Sequence, residues 1–386
     1  MPWKPKRILI VCHYYPPHVG GIEIVAYNEA RRLAALGNVV TVVTSRTRLD
    51  PPSGIYEGVQ VLRVPVFNGL ERKGIPFPLF SPQLIMKLWR ATRTTDIVHI
   101  HDVFYMSSCT AAFMAWLFRR PTIITQHVAI VPHPSKMTRV IERIVYQTIG
   151  RWTLRRGHRI ITINSRVRDF LLQLGVKAEK LLDMTNGVDT ALFRPPTARE
   201  RKAARKKYEL PQDAFIVLFI GRYVPKKGFD LLQKITSDEY LLVFAGGEKE
   251  SHLRDDSKKR FLGKLSQKEL QKLYWAADIF VLPSHGEGFP LTAQEAMASG
   301  TPVILRYDTG YAPYHLQPNH IAYMKSSHAN ELQSIIRDLQ HNEQRRRVMK
   351  KNARAYVHDH FSWDSHVATL NSLYAELTDN EVGMPV

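Results

Sequence analysis

The chain has 386 residues, 44% hydrophobic and 23% charged, with 54 Lys and Arg against 35 Asp and Glu for a formal charge of +19. This length favours two domains, and the composition excludes a disordered, collagen-like or low-complexity chain. Two cysteines, Cys12 and Cys109, can build neither a disulfide framework nor a cysteine-rich zinc site, so a reducing compartment is expected.

Short β-branched runs at Arg7 to Cys12, Val39 to Thr44, Asp96 to Ile100, Thr122 to Thr125 and Arg159 to Ile163 read as strands, with helical patterns between most of them. Continuous apolar strands alternating with helices indicate a parallel sheet covered on both faces, so residues 1–190 read as a doubly wound, Rossmann-like domain. Residues 191–213 hold Pro195, Pro196 and the charged run Arg199 to Lys207, and are expected to be the linker and the start of a second domain. In 214–361 the alternation resumes with Phe215 to Ile220, Tyr240 to Ala245, Asp278 to Leu282 and Val303 to Leu305, again doubly wound. Helical patterns follow at Glu331 to Gln340, Glu343 to Asp359 and Ser362 to Leu377, the last opening a final helix within 362–386. Ligands of open α/β sheets bind at the carboxyl ends of the strands, so two such domains are expected to form a cleft there.

The start of the chain leads into a short apolar run rather than a secretory signal, and Cys109 to Phe118 falls well short of the roughly 20 residues that span a bilayer. No transmembrane helix is expected. The charge is concentrated in residues 1–194, where 27 Lys and Arg face 12 Asp and Glu. Such a field favours phosphate-bearing substrates, acidic membranes or nucleic acid, beside the plain reading of solubility. Phe67 to Trp89 mixes basic and large apolar residues and reads equally as a membrane or acceptor contact and as core. Met137 to Trp152 is amphipathic, and its apolar positions Val140, Ile141, Ile144 and Val145 are expected to face the core.

Four segments could carry chemistry. Gly20-Gly21 follows the first strand and opens a helix, where paired glycines permit close backbone approach and helix N–H groups can hold an anion; a turn made only for packing is the competing account. His99, His101 and Asp102 end one strand and His127 ends the next. The spacing matches no recognised zinc motif, so no metal is expected, and alternation of faces is expected to turn His99 away and leave His101 and His127 as candidates. In Gly221 to Gly228, Arg222 as a bidentate donor and Lys227 as a point charge can flank a diphosphate, unless the loop is simply solvated. The strongest signal is Pro283 to Pro290, a glycine-rich loop opening a helix that stops at Gly300. Its start suits a phosphate, and Glu287 and Glu295 can accept hydrogen bonds from sugar or ribose hydroxyls. A glycosidase pair is the alternative for two carboxylates, but their place beside a phosphate-binding helix suits a nucleotide sugar better.

These segments, with Asn186-Gly187-Val188-Asp189, Phe261-Leu262-Gly263, Glu295-Ala296-Met297-Ala298, Gly300-Thr301-Pro302-Val303 and Ser362-Trp363, resemble family 4 of the retaining glycosyltransferases over nearly the whole chain. The resemblance implies the GT-B fold, α/β, with two Rossmann-like domains facing a cleft, acceptor on the first and donor on the second, and the final helix crossing back to the first domain. It implies a nucleoside-diphosphate sugar donor, a UDP- or GDP-sugar, with no further cofactor and no metal, and retention through attack from the leaving-group side. By the same resemblance Arg222 and Lys227 hold the diphosphate, the Gly20 and Gly21 loop approaches it, and Glu287 binds the sugar. Glu295 binds the ribose, Gly288, Phe289, Pro290 and Leu291 form the donor loop, and His127 lies near the sugar, with His101 and Asp102 on the acceptor side. The expected acceptor is a hydroxyl of a glycolipid, lipid-linked or polysaccharide precursor, with the enzyme cytoplasmic and peripheral on an anionic membrane face.

The chain departs from the family pattern at Asp308 to Pro313, which weakens any claim for sugar contacts there, and at Gly157-His158, where a small residue and Asp are usual and a structural role is expected. Rival functions are a GT-B epimerase, which needs no acceptor, and a phosphorylase, which needs free phosphate. A basic nucleic-acid-binding protein is disfavoured because no recognition module is visible, and no nucleic-acid partner is expected.

Overall fold

The strand runs are dominated by Val, Ile and Leu, and in the computed structural model they pair as two parallel sheets. The described residues are 5–18, 20–47, 50–67, 69, 78–129, 136–235, 237–248, 253–285 and 289–379. They group into one unit of residues 1–185 with 366–386 and a second of 186–365.

The first unit contains β1 (Arg7–Val11), α1 (Gly21–Ala35), β2 (Val39–Arg46), β3 (Gly54–Tyr56), β4 (Val59–Phe67), β5 (Leu79–Phe80), α2 (Gln83–Arg93), β6 (Ile97–His101), α3 (Met106–Leu117) and β7 (Thr122–Gln126). It continues with α4 (Lys136–Val145), a π-helical turn at Tyr146–Gly150, α5 (Arg151–Arg156), β8 (Arg159–Thr162), α6 (Ser165–Gln173) and β9 (Leu181–Asp183). Its sheet runs β3-β4-β2-β1-β6-β7-β8-β9, parallel except for β3 against β4 and β5 against β4. The second unit contains α7 (Ala198–Lys207), β10 (Phe215–Ile220), α8 (Phe229–Lys234), β11 (Tyr240–Ala245), β12 (Lys259–Phe261), α9 (Gln267–Ala276), β13 (Ile279–Leu282) and α10 (Leu291–Ala298). Then come β14 (Val303–Arg306), β15 (Ile321–Met324), α11 (Ala329–His341) and α12 (Glu343–His360). Its sheet is wholly parallel, ordered β12-β11-β10-β13-β14-β15. The last helix, α13 (Trp363–Asp379), starts in the second unit, and from His366 onward belongs to the first. There Asp379 pairs with Lys6, and Glu376 with Arg159 at 2.7 Å. Both units are Rossmann-like, as the alternation predicts.

One local device recurs. The residue before a strand donates its N–H to a backbone carbonyl of the neighbouring strand, and its side chain accepts that strand's N–H. Asp96 does this with Arg7 (N–H to O 2.8 Å, Oδ2 from N 2.7 Å) and Asp278 with Ile216 (2.9 and 2.8 Å). His158 does the same with Thr122, its Nδ1 accepting at 3.0 Å. The imidazole thus replaces the usual carboxylate, and burial, helped by the Lys180 charge, pushes its pKa down so that Nδ1 stays bare. The structural role expected of this departure holds.

Two expectations fail. The apolar face of α4 does not pack inward: Val140, Ile141 and Ile144 are each more than half exposed, while Glu142 and Tyr146 are buried on the opposite side. A periodic apolar stripe fixes an amphipathic helix but not which side meets the body. His99 is not turned away from His101 either, because residues two apart on a strand share a face; their rings lie 4.6 Å apart, both fully buried.

Asp278 also takes Arg201 at 2.6 Å and the buried Arg205 at 2.8 Å. Removing it leaves a buried guanidinium without its anion, so Asp278→Ala is expected to destabilise the second unit by about 3 kcal/mol. Denaturant midpoints followed by far-UV circular dichroism check this, and a loss below about 1 kcal/mol would contradict it.

Candidate active site

In the second unit the loops following β10, β11 and β13 are drawn together by backbone contacts. Gly228 sits at φ +75°, and a Cβ there would lie 2.6 Å from the Pro283 carbonyl oxygen; Gly246 sits at φ +89°, and a Cβ there would lie 3.1 Å from the Gly221 backbone nitrogen. The His285 N–H donates to the Lys226 carbonyl at 3.1 Å, so the loop carrying Arg222 and Lys227 is tied to the loop that precedes α10. Arg222 is exposed and Lys227 half-buried. Pro290 is the residue before α10 rather than its first helical position, and the N–H groups of Leu291 and Thr292 precede the first intrahelical bonds. Phe289 anchors this helix start, its ring packed on Tyr311, Tyr314 and Phe361. Tyr311 of the divergent Asp308 to Pro313 loop therefore packs on the residue that leads into α10. Glu287 and Gly288 lie outside the described residues.

Glu295, in the second turn of α10, is buried and accepts from the Tyr274 hydroxyl at 2.8 Å. Burial pushes its carboxyl up to about 7, with the Tyr274 hydrogen bond acting in the opposite direction. Tyr274 is a partner that sequence reasoning missed, since it lies on α9, twenty-one residues away.

In the first unit the predicted residues His101, Asp102 and His127 come together with others that were not singled out. The His101 Nδ1 lies 3.0 Å from the His127 Nε2, and the His101 Nε2 lies 3.2 Å from the Glu29 Oε2. The other Glu29 oxygen is 2.8 Å from the His366 Nε2, whose Nδ1 lies 2.8 Å from the Thr185 carbonyl. His99 bridges the Tyr374 hydroxyl at 2.8 Å and Thr125 at 2.7 Å. Burial works against the Glu29 carboxylate, but His101, His366 and His99 more than offset it and hold its pKa well below the usual range. Burial pushes His99 down to about 3 and His127 well below its ordinary value. Asp102, at φ +64°, accepts from Gln126 at 2.9 Å and from the Phe104 N–H at 3.3 Å, and burial pushes it up to about 6. His101 and Asp102 have no exposed surface, whereas His127 keeps 6%. The signal for Glu29 was present in α1: it sits four residues from both Val25 and Leu33, inside the apolar stripe.

Glu29, His99 and His101 offer three ligand atoms within 4.8 Å of one another. The His99 Nδ1 is already engaged by Tyr374, whereas the His101 Nε2 and the Glu29 Oε2 lie 3.2 Å apart without making a hydrogen bond. Of the two glycines, Gly20 is fixed by packing, since a Cβ there would lie 2.2 Å from the Glu23 carboxylate; Gly21 has open space around it. Glu23 faces His18 at 3.3 Å, and His13 stacks on Tyr105 with ring centroids 3.6 Å apart.

Two family models match in tandem: Glycosyltransferase Family 4 over residues 19–192 and Glycosyl transferases group 1 over residues 200–356. The chain belongs to the family 4 glycosyltransferases, with the GT-B fold. D-inositol 3-phosphate glycosyltransferases are similar over nearly the full length, at 26% identity for that of Corynebacterium aurimucosum (94% of this chain, 92% of that protein) and 28% for that of Streptomyces bingchenggensis (97% and 90%). Among solved structures, a glycosyltransferase from Rickettsia africae superposes with TM-score 0.76 at 18% identity, covering 98% of this chain and all of the other. Anabaena HepE in complex with UDP and glucose superposes with TM-score 0.72 at 18% identity, covering 97% of this chain and all of that one. For a glycosyltransferase, the α10 start beside the Lys227 loop is suited to an anion and the buried Glu295 to a hydroxyl-rich group.

The Glu295 titration has a definite sign. The folded pKa is raised, so the unfolded chain ionises first, and stability falls as pH rises from about 4.5 to about 7, by about 3 kcal/mol, then levels off. Unfolding midpoints of the protein and of Glu295→Gln across that range are expected to diverge from each other accordingly; parallel pH profiles would show that Glu295 is not so perturbed.

Proposed function

We propose that this glycosyltransferase moves a sugar, with retention and without a metal ion, from a nucleoside-diphosphate sugar to a hydroxyl acceptor. The observation that carries the reading is the start of α10, held by the Lys226–His285 hydrogen bond beside Lys227, with Glu295 one turn further on. Arg222 and Lys227 take the diphosphate with the α10 N–H groups, Gly20 and Gly21 admit its approach, and Glu295 accepts from the ribose. Glu287, with Gly288, Phe289, Pro290 and Leu291, meets the transferred sugar, and His127 lies beside it. A UDP-sugar fits the HepE complex named above, and GDP is the alternative base.

In the reaction the acceptor oxygen bonds to the anomeric carbon from the side on which the carbon–phosphate oxygen bond breaks. The acceptor proton passes to the departing phosphate oxygen, so atoms and charge balance without a separate base. Negative charge building on that phosphate is met by Arg222, Lys227 and the helix start.

The acceptor is proposed to carry phosphate, as a glycan precursor or a pyrophosphate-linked lipid. The surplus of 15 positive charges in residues 1–194 supports this, as does the phosphorylated polyol named for the relatives. The same half supports peripheral docking on the cytoplasmic face of an anionic membrane. Val140, Ile141 and Ile144 of α4 project outward, and a groove of about 600 Å³ lies among Ile85, Phe113, Met114, Ile149 and Trp152. The Arg156 guanidinium lies 3.7 Å over the Trp152 ring, which places a cation against apolar surface, the pairing that suits an anionic leaflet. No helix among the described residues is long and apolar enough to cross a membrane.

Arg222→Ala and Lys227→Ala are each expected to weaken nucleoside-diphosphate binding by tenfold or more with circular dichroism unchanged. Glu295→Gln should weaken it directly, while Glu287→Gln lowers kcat with little effect on the bare nucleotide. Calorimetry with UDP and GDP beside steady-state rates tests the set, and normal affinity in folded Arg222 and Lys227 variants would refute the donor assignment. Sedimentation with vesicles is expected to show salt-sensitive binding to phosphatidylglycerol, reduced at least tenfold by Ile141→Asp with Ile144→Asp. Equal binding to phosphatidylcholine vesicles would refute the membrane reading.

A further inference from the structure

Tyr274 stands in the last turn of α9, and the backbone that carries it is tied from outside the helix. The final carbonyls of a helix find no partner within it, and here those from Tyr274 to Ala277 all find one elsewhere. The Tyr274 carbonyl accepts from the Thr301 hydroxyl at 2.9 Å, those of Trp275 and Ala277 accept from the Arg201 Nη1 at 2.9 and 2.7 Å, and that of Ala276 accepts from the Arg205 Nε at 3.1 Å. The ring packs against Phe193 and Phe280, with each centroid 5.8 Å away, and the residue is 1% exposed. Backbone and ring together fix where the hydroxyl stands.

That hydroxyl reaches α10 at the Thr292 carbonyl, 3.0 Å away, and at the Glu295 Oε2, 2.8 Å away. Burial and the neighbouring carboxyl push the Tyr274 pKa well above its ordinary value, so the hydroxyl keeps its proton and has it to donate. Glu295 has a long side chain that must be ordered before it can recognise anything. Among the described residues, Tyr274 is the one hydrogen-bond partner of its carboxyl. With Oε2 held by Tyr274, Oε1 is left to accept from a ligand, and Glu295 keeps 8% of its surface for that contact.

We propose that Tyr274 is a positioning residue for the nucleotide: its hydroxyl aims the Glu295 carboxylate at the ribose hydroxyls, so that preference for a ribonucleotide over a deoxyribonucleotide depends on a side chain buried behind the one that makes the contact. The inference rests on the reading of Glu295 as the ribose-binding residue. Without the hydroxyl, Glu295 must be ordered by the ligand itself, and its buried carboxyl loses the donor that favours the charged form, the stronger acceptor. The contacts proposed for the diphosphate come from Arg222, Lys227 and the α10 start, and do not involve this hydrogen bond. The loss therefore falls on nucleotides that carry the ribose hydroxyls and spares those that lack them.

Calorimetry with the full chain compares UDP with 2′,3′-dideoxyuridine diphosphate, and uses the guanosine pair if GDP proves the tighter ligand. The protein is expected to bind UDP about tenfold or more tighter than the dideoxy form. Tyr274→Phe, whose ring still packs on Phe193 and Phe280, is expected to weaken UDP about tenfold and the dideoxy form less than about twofold, so that the preference is lost. With the sugar donor, KM rises in step while kcat stays within about threefold. Adding Tyr274→Phe to Glu295→Gln is expected to remove no further preference. Equal weakening of both nucleotides by Tyr274→Phe, as from a general loosening of the fold, would overturn the proposal, and so would a Tyr274→Phe variant that keeps the preference. If Tyr274→Phe does not fold, 4-fluorophenylalanine at the same position, which fills the place of the hydroxyl but cannot donate, decides by the same ratio. A folded Glu295→Gln variant that keeps the full preference for UDP would defeat the ribose reading instead.

Discussion

A parallel strand hands its chain on at its carboxyl end, and both sheets here depend on that constraint. With nearly every strand running the same way, helices cover both faces and the loops that leave the strands collect along one edge. His101 and His127 close β6 and β7, Lys227 follows β10, and the loop before α10 follows β13. None of these residues is near the others in sequence. Within each unit separately the direction of the strands gathers them, and glycines at positive φ let the loops of the second unit touch backbone to backbone.

Much of this was legible in the sequence. The continuous apolar strands at β1, β2, β6, β7, β8, β10, β11, β13 and β14 are found within a residue or two of where β-branched runs place them. β4 was not, because Gln60, Arg63 and Pro65 break the run: one of its faces is partly exposed, so it alternates instead of running continuously apolar. The residues proposed for the donor side were singled out by their spacing around a strand, a glycine-rich loop and a helix start, and of these the structure ties the loop of Lys227 to the loop before α10. The side to which α4 turns its apolar face was not, since periodicity carries no information about what stands opposite.

The polar core of the first unit was the least legible feature. Glu29 stands inside the apolar stripe of α1, but its own helix gives no sign of the histidines of β6 and α13 that are brought against it, contacts that span 72 and 337 residues. Each histidine could be read alone as a packed core residue. A buried carboxylate with imidazoles close about it is costly to strip of the one that hydrogen-bonds it, His366, because the charge would be left uncompensated.

The last helix has a consequence for how the chain comes into being. His366 and Tyr374 of the last helix supply hydrogen-bond partners to Glu29 and His99 in a unit that otherwise lies before position 186. During synthesis the second unit, residues 186–365, is contiguous and can close as soon as it emerges, whereas the first must wait with Glu29 and His99 short of their partners until the final helix leaves the ribosome. The half that is made first is therefore the half that is finished last, and a chain stopped before residue 366 would hold an intact second unit beside a first unit whose buried Glu29 and His99 lack the partners that the last helix brings.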